Sequence, residues 1–209
     1  MFVSQACEAC PPAARYLTEL SDRSDVVALA WHVDYWDNVR SRAGGSWKDP
    51  FASPEYSERQ RQYNQHIRGR RSVFTPQAVI NGAQSIVGSK RTKIDRMIAD
   101  GQTETRPLTI NFSSDEEKAT ELTIENFAPE YEINLIRFYK KVSTPIRGGS
   151  NAGTIFVNAN VVNDVKPITR QAGSTMTVPL EKMEENMGCA VLVHHKKDRR
   201  VLASAYCPE

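Results

Sequence analysis

The sequence lacks the long apolar runs of a membrane-spanning protein and a charge excess of either sign. No apolar run approaches the roughly 18 residues that a helix needs to cross a bilayer. Lys and Arg total 27 against 25 Asp and Glu residues, which leaves a formal net charge of +2. Nothing in this balance indicates a nucleic-acid partner. We therefore expect neither a transmembrane segment nor bound nucleic acid.

The amino terminus lacks a basic region followed by an apolar stretch, so the chain as written carries no signal peptide. Met1 to Ser4 resembles the last residues of a strand that leads directly into Cys7. Strands are typically about 5 to 6 residues long, and this one needs more apolar residues upstream. We therefore expect the amino-terminal strand to be truncated. Such a truncation would also have removed a signal peptide, so its absence is weak evidence against export.

Cysteine is scarce, with four residues in 209, but two of the four form a CxxC motif. Cys7 and Cys10 follow a strand signal and precede a helix signal, a context that favours a redox pair. The unpaired N–H groups and partial positive charge of a helix N-terminus favour thiolate over thiol. Because Cys7 lies farther from the helix body, we expect Cys7 to attack and Cys10 to resolve the mixed disulfide.

Two other interpretations of the pair stay open, a structural disulfide and half of a zinc site. A zinc site needs two further ligands, and the sequence contains no second CxxC motif. Pro11 and Pro12 place the start of the helix at one of these two prolines. Both sulfur atoms are therefore expected in front of the helix.

The chain length suits two domains of about 100 residues each. Residues 1–104 alternate strand and helix signals, whereas residues 105–209 contain almost only strand signals. This pattern predicts an α/β thioredoxin-like domain over 1–104, followed by an all-β sandwich-like domain over 105–209. The first region has predicted helices at 13–20, 53–67 and 89–100, a buried strand at 26–33 and a hairpin at 73–87. The second has predicted strands at 108–112, 119–127, 132–142, 154–162, 174–180, 189–195 and 200–206.

Pro76 stands at the start of the apolar strand that leads into the Asn81-Gly82 turn. In a thioredoxin-like fold such a proline follows a cis bond, packs beside the CxxC pair and exposes the backbone of the preceding residue, here Thr75. A substrate peptide would then add as a strand beside the disulfide. The alternative is an ordinary trans proline at a strand start.

His32, Asp34 and Trp36 end the second predicted strand, at the sheet edge that also carries Cys7. Strand alternation places the three side chains on one face, where the imidazole and the carboxylate would relay protons during exchange. The alternative is that His32 and Asp34 bond to each other or to loop amides and only fix this edge.

Cys189 and Cys207 are better explained as a structural disulfide. A hairpin centred on Asp198 places them directly opposite each other, as it does Val191 and Ala205. Cross-strand Cβ atoms are about 4.5 to 5.5 Å apart, within reach of a disulfide after modest adjustment. Closing this loop contributes about 3 kcal/mol in the chain-entropy model, and a second pair favours an oxidising compartment.

The sequence also resembles a known family, through residues 4–13 (SQACEACPPA), 32–37 (HVDYWD), 47–54 (WKDPFASP) and 74–77 (FTPQ). These segments resemble the bacterial secreted-protein family known as domain of unknown function 1223. The resemblance is dense over 1–90 and looser beyond, where 151–153 and 160–162 fit. It implies a thioredoxin-like core, a β-rich C-terminal part and export from the cytoplasm, but no known substrate. Ala14 stands where relatives tend to have Asp, and the loop between Asp37 and Trp47 is longer than usual.

We therefore expect an extracytoplasmic thiol–disulfide oxidoreductase or a close derivative, periplasmic or secreted, that acts on a protein or small thiol or disulfide without a cofactor or resident metal. The expected site residues are Cys7, Cys10 and Pro76, supported by Thr75, His32, Asp34 and Trp36. Two other functions stay open. A thiol-based carrier would bind copper or zinc through Cys7, Cys10 and His32, and a non-enzymatic binding module would use the CxxC disulfide as a staple.

Overall fold

The computed structural model describes residues 1–41, 45–102, 108–115, 118–126, 128–168, 175–181 and 183–208. Its helices are α1 (Pro11–Ser21), α2 (Pro54–Arg68) and α3 (Arg91–Gln102). The start of α2 is the one that the sequence predicts, because Ser53 accepts a hydrogen bond of 3.2 Å from the backbone N–H of Glu55. No helix within the described ranges is long and apolar enough to cross a membrane.

The amino-terminal sheet contains four strands, β1 (Phe2–Val3), β2 (Trp31–His32), β3 (Gln77–Ile80) and β4 (Gln84–Val87), in the order β2-β1-β3-β4. Strand β1 is parallel to β2 and antiparallel to β3. Asn81 and Gly82 adopt φ values of 49° and 67° between β3 and β4. These left-handed conformations are the ones that an Asn-Gly hairpin turn requires, so the predicted hairpin is confirmed.

The remaining strands are β5 (Thr109–Asp115), β6 (Lys118–Glu125), β7 (Tyr131–Pro145), β8 (Ile155–Ile168), β9 (Met176–Pro179), β10 (Met187–His195) and β11 (Val201–Tyr206). They form a four-stranded sheet in the order β11-β10-β7-β8 and a three-stranded sheet in the order β5-β6-β9. Every neighbouring pair in these two sheets is antiparallel. Each of the seven predicted strand regions therefore contains a strand.

The four-stranded sheet is buried on both faces. Leu135 and Val191 point into a core shared with the three-stranded sheet. Their neighbours Ile136 and Leu192 point the other way, into a core that also contains Trp31 and other residues from the first 63 positions. One sheet thus separates two hydrophobic cores.

The predicted fold class, an α/β thioredoxin-like domain followed by an all-β sandwich-like domain, is wrong. The described part of the chain is mostly β, with 41% of its residues in strands and 21% in helices, and its strands form three sheets. The predicted fold class is wrong because the four-stranded sheet has a second buried face, which packs on amino-terminal elements. Between the two halves Ala30 forms a parallel bridge with Val161. The predicted boundary between 104 and 105 lies outside the described residues, and the domain division stays a prediction.

Candidate functional site around Cys7 and Cys10

The two cysteines of the CxxC motif lie immediately before α1 and are joined in a disulfide, with their Cα atoms 5.4 Å apart. Cys10 is the N-cap residue, and its carbonyl oxygen accepts the first helical hydrogen bond, of 3.0 Å, from Ala14. The N–H of Cys10 donates to the carbonyl oxygen of Cys7 at 3.1 Å, and the N–H of Cys7 donates to Ser4 at 3.1 Å. Both sulfur atoms therefore precede the helix, as Pro11 and Pro12 predict.

The disulfide is covered by other side chains. Cys7 is 1% exposed and Cys10 is 0% exposed. They pack in one cluster with Ile146 and Phe156, against which Trp36 and Trp47 lie partly buried. A solvent thiol cannot reach the sulfur atoms while these side chains stay in place.

The connection between β7 and β8, residues 146–154, forms one side of this cover, and we call it the cover loop. Its ends are tied together, because Ile146 donates to the carbonyl oxygen of Thr154 at 2.9 Å. The side-chain amide of Asn151 donates to the carbonyl oxygens of Gln5 at 2.8 Å and Cys7 at 3.0 Å. The cover loop is thus bonded directly to the backbone that carries the cysteines.

A buried network of polar side chains contacts the cysteine segment at Gln5. Both His32 and Asp49 have side chains with no exposure, and Nδ1 of His32 lies 2.7 Å from Oδ2 of Asp49. The same Oδ2 accepts a hydrogen bond of 2.8 Å from the backbone N–H of Gln5. On its other side, Nε2 of His32 lies 3.1 Å from Nδ2 of Asn158 on β8. The network connects the cysteine segment to β2 and to the four-stranded sheet.

Asp49 is an ionised carboxylate within this network. Burial raises the pKa of its carboxyl, but the neighbouring charge of His32 and hydrogen bonds from His32 and the N–H groups of Gln5 and Phe51 lower it further. The net effect is a pKa below the ordinary value of 3.8. Asp49 therefore holds a fixed negative charge against the backbone N–H of Gln5, which is two residues before Cys7.

Pro76 lies beside the first turn of α1, and the Thr75–Pro76 bond is cis. A methyl group built on Gly88 would lie 3.1 Å from Cβ of Pro76 and 3.2 Å from Cβ of Ala13. Gly88 also donates to the carbonyl oxygen of Pro76 at 2.8 Å. The absence of a side chain at Gly88 lets the proline and the helix approach each other.

The three polar residues predicted to share a face have different partners. His32 pairs with Asp49, whereas the carboxylate of Asp34 accepts a hydrogen bond from Ser57 on α2. The indole N–H of Trp36 donates to the hydroxyl of Thr75 at 2.7 Å. They diverge because the strand ends at His32 and the chain then turns, so alternation does not continue.

Asp49, Asn151 and Asn158 are absent from the sequence-based prediction of the site. Asp49 lies 17 residues from His32, and Asn158 lies 126 residues from it. No spacing rule joins residues at such separations. The available signals were two segments that carry part of the family resemblance, 47–54 for Asp49 and 151–153 for Asn151.

A solved structure of a protein from Agrobacterium tumefaciens is similar to this chain, with a TM-score of 0.76 and 26% sequence identity. The match covers 98% of this chain and 90% of that one. A domain of the outer membrane lipoprotein Omp28 from Porphyromonas gingivalis matches at 16% identity over 49% of this chain and 88% of that chain. Its TM-score of 0.22 is too low to support any argument about this chain.

No curated protein matches the sequence. The family described as protein of unknown function (DUF1223) has a model that matches residues 1–194. This match covers most of the chain, and the chain therefore belongs to that family.

Proposed function

We propose that Cys7 and Cys10 carry out thiol–disulfide exchange on a protein or a small thiol or disulfide. The observation that carries the proposal is the position of the pair at the start of α1, with Cys10 as the N-cap residue. At such a position the helix dipole stabilises a thiolate, and Ala13 is the first residue of α1 with a backbone N–H because Pro11 and Pro12 have none.

In the reducing direction, the thiolate of Cys7 attacks one sulfur atom of a substrate disulfide. A bond forms between Cys7 and that sulfur, and the other substrate sulfur leaves as a thiolate. The thiolate of Cys10 then attacks Sγ of Cys7, which closes the Cys7–Cys10 disulfide and releases the second substrate thiolate. Two electrons pass to the substrate, and the oxidising direction follows the same steps in reverse.

Burial of both sulfur atoms sets a condition on this reaction. Trp47 and the cover loop must move before a substrate sulfur can approach Cys7. Local opening of a loop costs less than global unfolding, so exchange through an opened state is compatible with a stable fold.

A second candidate function is favoured by the same burial. With Cys7 and Cys10 at 1% and 0% exposure, the disulfide would serve as a staple in a non-enzymatic binding module. The metal-carrier alternative receives less support, because both ring nitrogens of His32 lie near protein atoms. Within the ranges that the structure describes, no group of three or more His, Cys, Asp or Glu residues is arranged to hold a metal.

The reduction potential of the Cys7–Cys10 pair separates the first two functions. We expect a value in the range of catalytic pairs, about −120 to −270 mV, whereas a structural disulfide lies below about −300 mV. The measurement uses glutathione or dithiothreitol buffers with peptide-level mass spectrometry, and Cys189–Cys207 serves as the internal structural reference. Cys10→Ser should trap mixed disulfides and Cys7→Ser should not. A potential as low as that of Cys189–Cys207, or equal trapping by both variants, would contradict exchange.

We also propose that the protein acts outside the cytoplasm, in the periplasm or in secreted form. Support comes from the two cysteine pairs, both of which are joined as disulfides. Rapid alkylation of intact cells followed by mass spectrometry tests this location. We expect both pairs to be protected from alkylation, and free thiols at both pairs would contradict it.

A further inference from the structure

Four arginines form a positively charged surface at the carboxyl end of α2. Arg61 and Arg68 are seven positions apart, close to two full turns, so they lie on the same face of the helix. Arg70 and Arg71 follow the helix and are exposed. The guanidinium of Arg68 lies over the ring of Phe74, 5.1 Å from its centre. We call these four arginines the basic patch.

A single carboxylate, that of Glu58, is paired with the basic patch. Nη2 of Arg71 lies 2.7 and 2.8 Å from the two carboxylate oxygens of Glu58, and Nη1 of Arg61 lies 3.8 Å from one of them. Among the residues that the structure describes, Arg68 and Arg70 have no ion pair. The basic patch therefore keeps an excess of positive charge, and Arg71 already binds a carboxylate there.

The segment of residues 72–75 connects the basic patch to Pro76 and is fixed along α2. The side-chain amide of Gln60 donates to the carbonyl oxygen of Phe74 at 2.8 Å. One turn further along the helix, the side-chain amide of Asn64 donates to the carbonyl oxygen of Ser72 at 3.0 Å. These two bonds hold the segment at a constant distance from the helix.

The far end of this segment lies beside the disulfide site. Thr75 accepts the hydrogen bond of 2.7 Å from the indole of Trp36, and Trp36 packs against the cluster that contains Cys7 and Cys10. Arg71 and Thr75 are four positions apart, so at most about 14 Å of chain separates them. One short peptide could therefore contact the disulfide site and the basic patch together.

We propose that the basic patch binds acidic residues of a protein substrate whose cysteine reacts with Cys7. This inference names a substrate class for the proposed thiol–disulfide exchange and rests on that function. An extended substrate covers the distance from Thr75 to Arg71 with about four residues, so its carboxylates lie about three or four positions from the reacting cysteine. Guanidinium groups bind carboxylates with directional hydrogen bonds, and their charge also speeds the encounter.

Two peptides that differ only in charge test this docking without any thiol. The acidic peptide is Asp-Asp-Gly-Gly-Ser-Gly-Gly-Asp-Asp with blocked ends, and its control has Asn in place of every Asp. Each is added to the unmodified protein at low ionic strength, and NMR chemical-shift titration measures its Kd. We expect the acidic peptide to bind about 2- to 30-fold more tightly, as two exposed ion pairs allow. Added salt should reduce this difference.

Variants show where the acidic peptide binds. Arg70→Ala with Arg71→Ala removes two exposed guanidinium groups and should reduce the ratio of the two Kd values at least about twofold. Arg96→Ala, at an exposed position of α3, is the control and should keep the ratio. Equal affinity of the two peptides, or an unchanged ratio in the double variant, would overturn the proposal. A short oligodeoxythymidylate that binds more tightly than the acidic peptide and is lost in the double variant would assign the surface to nucleic acid and overturn it too.

The same sequences with Cys in place of Ser, supplied as symmetric disulfides, connect docking to exchange. They are added to Cys10→Ser, and mass spectrometry measures the rate of mixed-disulfide formation at Cys7. Opening of the cover is common to both peptides, so the ratio of their rates measures docking alone, and we expect the acidic peptide to react faster. If neither peptide reacts, exchange fails while the serine peptides still decide docking. If both react equally and the serine peptides bind equally, docking fails while exchange stands.

Discussion

The side-chain amide of Asn151 donates a hydrogen bond of 3.0 Å to the carbonyl oxygen of Cys7, across 144 residues of sequence. A second bond from the same amide holds Gln5 at 2.8 Å. Both bonds are buried. Asn151 therefore fixes the distance between the cover loop and the segment that carries the disulfide.

Replacement of this amide should expose the disulfide. Asn151→Ala removes two hydrogen bonds, which together contribute about 1 to 3 kcal/mol. We expect the Cys7–Cys10 disulfide to be reduced about 5- to 150-fold faster by dithiothreitol, because the opened fraction rises by that factor. Arg147→Ala, an exposed position in the same loop, is the control and should leave the rate unchanged. An unchanged rate in Asn151→Ala would show that the cover is held by other contacts.

The second disulfide should contribute to stability in proportion to the loop that it closes. Cys189 and Cys207 are separated by 18 positions and their Cα atoms are 5.3 Å apart. For Cys189→Ala with Cys207→Ala, we expect the free energy of unfolding to fall by about 3 kcal/mol, as measured by urea denaturation. A variant as stable as the oxidised parent would mean that the hairpin constrains the unfolded chain without the disulfide.

The buried carboxylate of Asp49 predicts a dependence of stability on acid. Its pKa in the folded protein lies below the ordinary 3.8, so its stabilisation is complete above pH 3.8 and is lost as the pH falls through the folded value. Asp49→Asn should be less stable at neutral pH and should lose less stability on further acidification. Urea denaturation at neutral pH and below pH 3.8 measures both effects.

Asp37 provides a matched control, because its pKa is shifted in the direction opposite to that of Asp49. Its carboxylate accepts a hydrogen bond of 3.1 Å from the backbone N–H of Asp49, and burial raises its pKa above 3.8. Protonation of Asp37 therefore favours the folded state, and Asp37→Asn should not flatten the acid dependence. If both variants flattened it equally, the effect would not belong to Asp49.

A buried guanidinium should control the titration of a buried histidine. Nη2 of Arg59 lies 2.9 Å from Nε2 of His194, whose pKa is well below 6.5 because of burial first and the charges of Arg59 and Arg199 next. Arg59→Met removes one charge, so the pKa of His194 should rise but stay below 6.5, as measured by NMR titration. Arg61→Met, which removes a guanidinium paired with Glu58, should leave His194 unchanged. A lower pKa in Arg59→Met would contradict the charge effect.

Local signals in the sequence predicted several elements well, although the strand predicted at 26–33 is limited to Trp31–His32. Ser53 and Pro54 begin α2, and Asn81-Gly82 forms the hairpin turn. In β10 and β11 the pairing of Val191 with Ala205 is the register that the position of the two cysteines predicts. Each of these features depends on residues that are close in sequence or on the geometry of one hairpin.

The arrangement of the sheets was predicted less well, and β10 shows why. Its residues 189–193 (CAVLV) form a continuous apolar run, which is typical of a strand buried on both faces. The sequence-based prediction placed one face of this strand in a sandwich core and assigned no packing partner to its other face. That face packs on amino-terminal residues more than 120 positions away, and no local signal specifies such a contact.

The cover loop also orders events during synthesis. A ribosome makes a chain from its amino end, so both cysteines emerge long before the cover loop does. Cys7 precedes Asn151, which bonds to its carbonyl oxygen in the folded protein, by 144 residues. Until then the two thiols have no cover from residues 146–154 and are open to an oxidant. The nascent chain thus passes through a period in which its first cysteine pair is chemically accessible, and the later arrival of β7 and β8 ends it.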